Sequence, residues 1–170
     1  KPKTNSITNS QVLFEDYSFI KARLVLKEMV EVGSLGLIES NLVTDTVGLY
    51  IGYSKNTIKA TGGTRKLTNY TNIYSELLKA FLEIYDKTTD ADIPIRRIGV
   101  NFANVIKAES VQLSLFIDQE RIDEERKLEL AMCSIKNKMG KNAIIRGMDL
   151  EDGATTIMRN KLIGGHNSGE

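Results

Sequence analysis

Residues 43–53, VTDTVGLYIGY, alternate between two kinds of side chain, and this alternation decides the fold class. The first set is Val43, Val47, Leu49, Ile51 and Tyr53, and the second set is Thr44, Thr46, Gly48, Tyr50 and Gly52. Because successive side chains of a strand point to opposite faces, the period of two predicts a strand with one buried, apolar face. The second set is mostly small and uncharged, which favours close approach of another surface to the backbone.

The chain before this strand predicts a shorter strand and then a helix. Residues 11–14 form the strand, and Asp16 and Ser18 are N-cap candidates because their side chains accept hydrogen bonds from a first helical turn. Apolar residues at helical spacing follow. We expect Gly33 and Gly36 to end this helix, because glycine adopts the left-handed conformation at little steric cost.

The chain after this strand predicts a hairpin, a second helix and a last strand. Residues 57–60 are expected to pair as a strand, with a bulge or kink at Gly62 and Gly63. Thr71 is a candidate cap for the helix. In the strand that starts at Pro94, one face holds Ile98, Val100 and Phe102, and the other holds Arg97, Gly99 and Asn101.

The order strand, helix, strand, strand, helix, strand predicts an α+β fold. Its four-stranded antiparallel sheet would carry two helices on one face and leave the other face open. A further helix and a C-terminal tail are expected beyond it, with a short strand at 142–146 and a loose segment from residue 153. A chain of 170 residues accommodates one good core with an appended segment.

Composition limits the possible functions. The single cysteine, Cys133, excludes a disulfide framework and a thiolate metal site within this chain. There is no long apolar run and no signal-peptide pattern, so we expect a cytoplasmic protein without a membrane partner. The polar start at Lys1 suggests a piece of a longer protein.

Catalytic machinery is not evident in the sequence. The single histidine, His166, lies near the C-terminus, where a solvated residue is expected. Gly62 to Lys66 lack the spacing of a phosphate-binding loop. The acids between Asp118 and Glu129 alternate with basic residues, which is typical of solvated ion pairs rather than of a metal site. We therefore predict no catalytic residue, no metal ligand and no cofactor.

Basic residues are unevenly distributed, although the net charge is only +1. Residues 55–66 contain four basic residues and no acid. Lys59 and Thr61 are predicted on one face of their strand, with Arg65 and Lys66 beyond the bulge and Arg97 on the neighbouring strand. Such a rim of cations would reach the phosphates of a duplex without reading its sequence. Ordinary surface charge explains the same distribution.

A short peptide with two large anchors follows the predicted domain. It consists of Gln112, Leu113, Ser114, Leu115 and Phe116. A glutamine followed by aliphatic and aromatic anchors suits docking into an apolar pocket of a partner. The same side chains would also suit a cover over the sheet edge or the last helix.

The chain resembles the C-terminal part of Y-family translesion DNA polymerases of the UmuC/ImpB/MucB/SamB kind. The segments that carry the resemblance are residues 6–14, 46–54, 94–100, 112–116 and 159–166. The resemblance implies that residues 1–10 connect to a thumb domain outside this chain and that residues 11–110 form the little finger, a DNA-binding domain. Residues 111–170 would hold the clamp-binding motif, a helix and a tail.

The resemblance also implies partners and site residues. Primer-template DNA would lie against the open sheet, and the bacterial sliding clamp, the polymerase III beta subunit, would bind the peptide from Gln112 to Phe116. The expected DNA-binding residues are Lys1, Lys3, Ser6, Lys55, Lys59, Thr61, Arg65, Lys66, Arg96 and Arg97. The alternation of the last strand points Arg96 inward.

The catalytic chemistry of that family belongs to palm-domain carboxylates that hold two metal ions, Mg²⁺ in the parent enzyme. No such motif occurs here, so the chain would supply DNA grip and recruitment for error-prone synthesis in DNA repair and the SOS response. Two alternatives stay open. One is a small ferredoxin-like enzyme that uses Arg97 and Asn101 on an anionic substrate, and the other is a protein-protein adaptor.

Overall fold

The computed structural model describes residues 5–54, 58–111, 119–163 and 166–167. Its strands are β1 (Ser6–Tyr17), β2 (Leu42–Tyr53), β3 (Thr61–Thr71), β4 (Ile95–Ala103), β5 (Ile106–Lys107), β6 (Leu162–Ile163) and β7 (His166–Asn167). Its α-helices are α1 (Phe19–Glu39), α2 (Tyr74–Thr88), α3 (Gln119–Met139) and α4 (Thr156–Arg159). Single 3₁₀ turns lie at Ala108–Ser110 and Gly147–Leu150.

The main sheet is antiparallel and has the strand order β1-β4-β2-β3. The short β5 pairs with the start of β2. Helices α1 and α2 pack against the same face of the sheet and against each other. The predicted α+β fold and its element order are therefore confirmed, with one additional short strand in the main sheet and a separate short pair, β6 and β7.

The core lies between the sheet and the two helices. The apolar faces of the central strands are buried there, as their alternation predicts; their residues are Val47, Leu49, Ile51, Ile98, Val100 and Phe102. Phe81 of α2 meets Phe102 edge to face, with the ring centroids 5.5 Å apart. Burial of large apolar side chains on one sheet face leaves the smaller, polar residues on the other.

Helix α1 begins where the sequence indicates and ends later. Ser18 is its N-cap and accepts a hydrogen bond from the Lys21 N–H at 3.4 Å. The helix passes through Gly33 and Gly36 and ends at Glu39, so the expected glycine stop is wrong. Gly33 serves packing instead, because a Cβ there would lie 2.3 Å from the ring of Phe102.

Strand β3 differs from its prediction. It starts at Thr61, and residues 58–60 lie outside it. Gly62 and Gly63 pair in register with Tyr50 and Leu49, so the predicted bulge is not at this position; a register shift lies instead between Thr44 and Thr46. Gly62 has φ of +123°, and a Cβ there would lie 2.0 Å from the Leu49 carbonyl oxygen, so the strand needs glycine at this point.

The first turn of α2 is capped by α3 rather than by its own sequence. Thr71 accepts a hydrogen bond from the Ile73 N–H, one residue before the helix starts. The N–H groups of Tyr74 and Ser75 instead donate to Glu129 and Glu125 at 3.1 and 2.8 Å. These carboxylates satisfy donors that have no partner within the helix. The expectation that the α3 acids are merely solvated is wrong for this pair.

The C-terminal segment, residues 119–163, packs onto the helical side of the domain. Helix α3 lies against α1. Thr155 and Thr156 donate backbone N–H bonds to the buried carboxylate of Glu28, each at 2.9 Å. Thr155 is 2% exposed, so the expectation of a loose segment after residue 153 is wrong at this point. Residues 142–146 form no strand. None of the described helices is long and apolar enough to span a bilayer.

Candidate nucleic-acid interface

The sheet face away from the helices is called the open face here. The strand pairings place its residues in rows, which contain Ser6, Ala103, Thr46 and Lys66; Thr8, Asn101, Gly48 and Thr64; Ser10, Gly99, Tyr50 and Gly62; and Val12, Arg97 and Gly52. None of these residues is acidic. The rows form a surface of small and neutral polar groups with one cation at either end.

The open face is accessible because the C-terminal segment packs on the opposite side, against α1 and the start of α2. Ser10, Tyr50, Thr64 and Arg97 are all exposed. A shallow hollow of about 510 Å³ lies over the two central strands and the flanking residues of β1 and β3. The surface on which a DNA-binding role depends is therefore not part of the hydrophobic interior.

Arg97 lies on the central strand β4, at one end of the open face. Its guanidinium donates to the Ser10 hydroxyl at 3.4 Å and lies 5.8 Å from the centre of the Tyr50 ring. Both contacts are with neutral groups, so they orient the guanidinium without neutralising its charge. A phosphate placed over this end of the open face would meet an exposed positive charge.

Lys66 marks the other end of the open face. Its side chain is 75% exposed, and its ammonium lies 3.8 Å from the Asp45 carboxylate. Burial alone would raise the pKa of Asp45, but hydrogen bonds from Thr46 and Asn104, together with the Lys66 charge, lower it. Asp45 therefore stays ionised near neutral pH and keeps Lys66 near the edge of the sheet, where an exposed pair adds little stability.

Arg96 occupies an irregular position that the alternation did not anticipate. Gly52 pairs with Arg97 and Tyr53 pairs with Ile95, so Arg96 is an extra residue on β4. Such a bulge interrupts the alternation of side chains. The Arg96 side chain is 41% exposed and its guanidinium lies 3.8 Å from Asp16, so it is not buried inward as its place in the sequence indicated.

Thr61 and Arg65 lie on the helical side, which corrects their expected place on the cationic surface. Arg65 pairs with Val47 in the strand register and forms a salt bridge with Glu83 of α2. The Thr61 hydroxyl lies 2.7 Å from that of the buried Tyr53. The strand begins at Thr61 and has no bulge at Gly62 and Gly63. Thr61 and Arg65 therefore lie on the face opposite to the one that we expected.

The other expected DNA-binding residues fall into two groups. Ser6 is exposed at the end of the open face, and Lys59 is exposed just before β3. Lys1, Lys3 and Lys55 lie outside the described residues, as do Gln112, Leu113, Ser114, Leu115 and Phe116. His166 pairs through its backbone with Ile163.

Neutral hydrogen-bonding residues of the open face were missed by the sequence analysis. Thr8 donates to the Asn101 side-chain oxygen at 2.9 Å, across the β1-β4 pair. Ser10 and Thr64 lie in the neighbouring rows. The signal was available for β1, because Thr8, Ser10 and Val12 alternate with Ile7, Asn9 and Gln11, but the predicted strand started at residue 11.

Behind the open face, the C-terminal segment brings a buried polar network to α1 and α2. Arg146 donates to Glu31 at 3.1 Å and lies 4.3 Å from the ring centre of Tyr74. Burial raises the pKa of Glu129 to about 7. Glu129 is 0% exposed and accepts the Tyr74 N–H, so its perturbed carboxyl belongs to the packing rather than to a cleft that a substrate enters.

A second set of buried polar contacts explains the position of Arg159, for which the sequence offered no role. Its guanidinium donates to the Gln11 side chain of β1, and the Gln11 amide donates to Thr155 at 3.1 Å. Desolvation lowers the pKa of Arg159. The described parts of the chain contain no group of three or more His, Cys, Asp or Glu side chains that could hold a metal ion.

Comparison with known proteins gives a family match over most of the domain. Residues 4–115 match the model of the impB/mucB/samB family C-terminal domain. The chain is 32% identical over 169 residues to DNA polymerase IV 2 of Halalkalibacterium halodurans, covering 96% of this chain and 40% of that protein. It is 34% identical over 100 residues to DNA polymerase IV 2 of Bacillus subtilis, covering 58% of this chain and 22% of that protein.

The chain thus spans about two fifths of the H. halodurans relative. Among solved structures, a complex of beta-clamp processivity factor and little finger domain of PolIV matches with a TM-score of 0.48 and 11% identity. That match covers 66% of this chain and all of the other chain.

Proposed function

The chain belongs to the impB/mucB/samB family C-terminal domain, the C-terminal part of Y-family DNA polymerases, and we propose that it holds primer-template DNA on its open face. The observation that carries this proposal is the open face itself, which is exposed, has no acidic residue in its rows and is flanked by Arg97 and by Lys66, the latter beside Asp45. DNA is the polyanion that such a surface suits, because phosphates attract the cations and donors contact phosphate oxygens.

Phosphate contacts on this surface would not read base sequence. Arg97 offers a charged guanidinium, and Thr8, Ser10 and Thr64 offer hydroxyl donors along the adjoining rows. Gly48 lowers the surface of β2 between Asn101 and Thr64, so a DNA backbone would approach the sheet closely there. Lys59 and Lys66 extend the positive rim. A sequence-independent grip is what a polymerase needs as it moves along a template.

The rest of the parent protein would supply catalysis. Relatives that this chain matches are named DNA polymerase IV, and the chain spans only part of their length. We propose that the parent is an error-prone translesion polymerase in DNA repair, with palm carboxylates and two Mg²⁺ ions outside this chain. The present chain would contribute binding, with no catalytic residue or metal ligand of its own.

Recruitment to the bacterial sliding clamp is proposed for Gln112, Leu113, Ser114, Leu115 and Phe116. The proposal rests on their sequence, since they lie outside the described residues. In the sequence they lie between the 3₁₀ turn at Ala108–Ser110, which follows β5, and the start of α3 at Gln119. Docking of the aliphatic and aromatic anchors into an apolar pocket would supply most of the affinity. Lys1, Lys3 and Lys55 remain proposed DNA contacts.

A salt titration tests the DNA proposal. The chain is titrated with a fluorescent primer-template at several salt concentrations. Affinity is expected to fall by roughly 0.9 log units per log unit of salt for each phosphate neutralised. Absence of binding at low salt, or affinity independent of salt, would contradict the proposal. If the chain were instead an adaptor whose open face binds another protein, added DNA would not displace that protein.

A second titration tests recruitment. The chain and its double variant Leu115→Ala, Phe116→Ala are titrated onto a purified bacterial clamp. The double variant is expected to lose binding, whereas Leu128→Ala, a comparable truncation at an exposed position of α3, is expected to bind normally. Equal clamp binding by wild type and double variant would remove the recruitment claim without affecting the DNA titration.

A further inference from the structure

Tyr50 is an exposed aromatic residue at the centre of the open face. It lies on β2, one of the two central strands, and is 46% exposed. The neighbouring aromatic residue of the same strand, Tyr53, is buried and hydrogen bonded. An exposed aromatic ring on this sheet leaves apolar surface in contact with water and contributes little to the hydrophobic core. This position indicates that the ring contacts a ligand outside the domain.

Glycines make room for this ring. A Cβ at Gly52 would lie 3.2 Å from Tyr50 Cε1 and 3.4 Å from its hydroxyl oxygen. A Cβ at Gly99 would lie 3.3 Å from Tyr50 Cβ. The ring therefore extends along the sheet surface over Gly52, on the side where Arg97 lies, rather than standing away from the sheet. The residue stays 46% exposed, with the Arg97 guanidinium 5.8 Å from the ring centre.

A phosphate grip alone does not call for such a ring. Phosphates bind cations and hydroxyl or N–H donors, and Arg97, Thr8 and Ser10 supply these around Tyr50. A flat aromatic face instead suits another flat ring, and stacking on nucleobases tolerates any sequence because every base has a π-face. Inside a duplex these faces are already stacked on their neighbours.

Polar groups line the same hollow as the ring. The hollow of about 510 Å³ is lined by Tyr50, Arg97, Asn101 and Thr64, among others. Asn101 and Thr64 offer hydrogen-bonding groups to a base edge, and Arg97 offers a charge to the adjoining phosphate. The absence of acidic residues from the rows of the open face favours a polyanion.

We propose that Tyr50 stacks on an unpaired nucleobase, so that the open face binds the single-stranded template next to the primer-template duplex. This inference rests on the proposed DNA-binding function and adds a non-ionic contact to it. The stacked base contributes affinity that does not depend on counterion release, whereas the Arg97 contact does.

The experiment compares three fluorescent DNAs of equal phosphate number, which are a single strand, a primer-template with an overhang and a blunt duplex. Tyr50→Ala is expected to weaken binding to the first two by roughly 5- to 150-fold, the effect of losing one base stack. Binding to the blunt duplex and the salt dependence on all three are expected to stay unchanged. Tyr50→Phe keeps the ring and is expected to bind like wild type.

Ile20→Ala is the matched control, because Ile20 is 80% exposed on α1, away from the open face. Thermal melts of every variant establish that the fold is kept. A 2-aminopurine base in the overhang reports stacking, with quenching expected for wild type and Tyr50→Phe but not for Tyr50→Ala.

Unchanged affinity of Tyr50→Ala for the overhang DNA, or an equal loss on all three DNAs, would overturn the stacking inference while leaving DNA binding in place. If wild type bound none of the three DNAs at low salt, the proposed function would fall and this inference with it.

Discussion

The open face and the C-terminal segment both contain charged side chains, but only the C-terminal segment buries them. On the open face, Arg97 contacts neutral partners and stays exposed. In the C-terminal segment, Glu129 is 0% exposed and accepts the Tyr74 N–H. Where that segment meets α1, Glu28 of α1 is 2% exposed and accepts hydrogen bonds from Thr155 and Thr156. Buried charge is tolerated only when it is paired, so the charges of the C-terminal segment are used by the fold. The charge of Arg97 remains available for a ligand, whereas Lys66 already lies 3.8 Å from the Asp45 carboxylate.

The largest predicted effect concerns Glu28. Changing Glu28 to leucine removes the acceptor of the Thr155 N–H, the Thr155 hydroxyl and the Thr156 N–H. Buried donors without partners cost about 1–3 kcal/mol each, so we expect the free energy of unfolding to fall by about 3 kcal/mol after partial relaxation. Urea denaturation followed by circular dichroism measures this change.

Glu124→Leu is the control for Glu28, because Glu124 lies exposed on α3. We expect it to change the unfolding midpoint little. A stable Glu28→Leu variant would mean that the C-terminal segment is not held to α1 through this carboxylate, and the contrast between the two surfaces would lose its basis.

A smaller effect is predicted for Arg97 and Arg65, which the strand register places on opposite faces of the sheet. Arg97→Ala removes a cation from the open face, so affinity for DNA should fall and the slope of log K against log salt should decrease by about 0.9, one phosphate contact. Arg65→Ala removes a cation that is paired with Glu83 on the helical side, and the slope should not change. Fluorescence anisotropy at four or more salt concentrations gives both slopes.

Equal slopes for Arg97→Ala and Arg65→Ala would show that DNA contacts both faces of the sheet, or neither face. The comparison is informative because both variants lose the same side chain, and only the face of the sheet differs.

A pH dependence of stability is predicted from Glu129. Burial raises the pKa of Glu129 to about 7, with the Glu125 carboxylate adding to the rise and the Tyr74 N–H and Arg146 opposing it. The folded state therefore keeps a proton that the unfolded state loses near its ordinary pKa of about 4.3. Stability from this group is complete below the unfolded pKa and falls as pH rises to about 7, where the folded group also ionises.

Glu129→Gln should reduce this decline, because its amide oxygen still accepts the Tyr74 N–H and carries no ionisable proton. Unfolding free energies between pH 4.5 and 7.5 measure the slope; burial also raises the pKa of Glu31, which leaves a residual decline of the same sign. An identical pH profile for wild type and Glu129→Gln would exclude Glu129 as the source.

Sequence patterns predicted the fold well where periodicity was strong. The alternation gave the buried and open faces correctly from Thr46 onward in β2 and from Arg97 onward in β4, but it failed at Thr44, which is buried beyond a register shift, and at Arg96, which lies at a bulge. The family resemblance was recognised from short segments and is confirmed by the family match. The prediction was less accurate for β3, where two glycines were interpreted as a bulge. Glycine in a strand also permits an unusual φ, as at Gly62, and spacing does not distinguish these possibilities.

The sequence by itself determined the order of elements and the two faces of the central strands, because local periodicity and apolar burial act over a few residues. Only the tertiary structure decided which cations share a surface. Pairing with β2 sets the register of β3, and a shift of one residue would exchange the faces on which Arg65 and Lys66 lie. Tertiary packing also decided that Glu125 and Glu129 cap α2, since contacts between residues about fifty positions apart leave no local pattern.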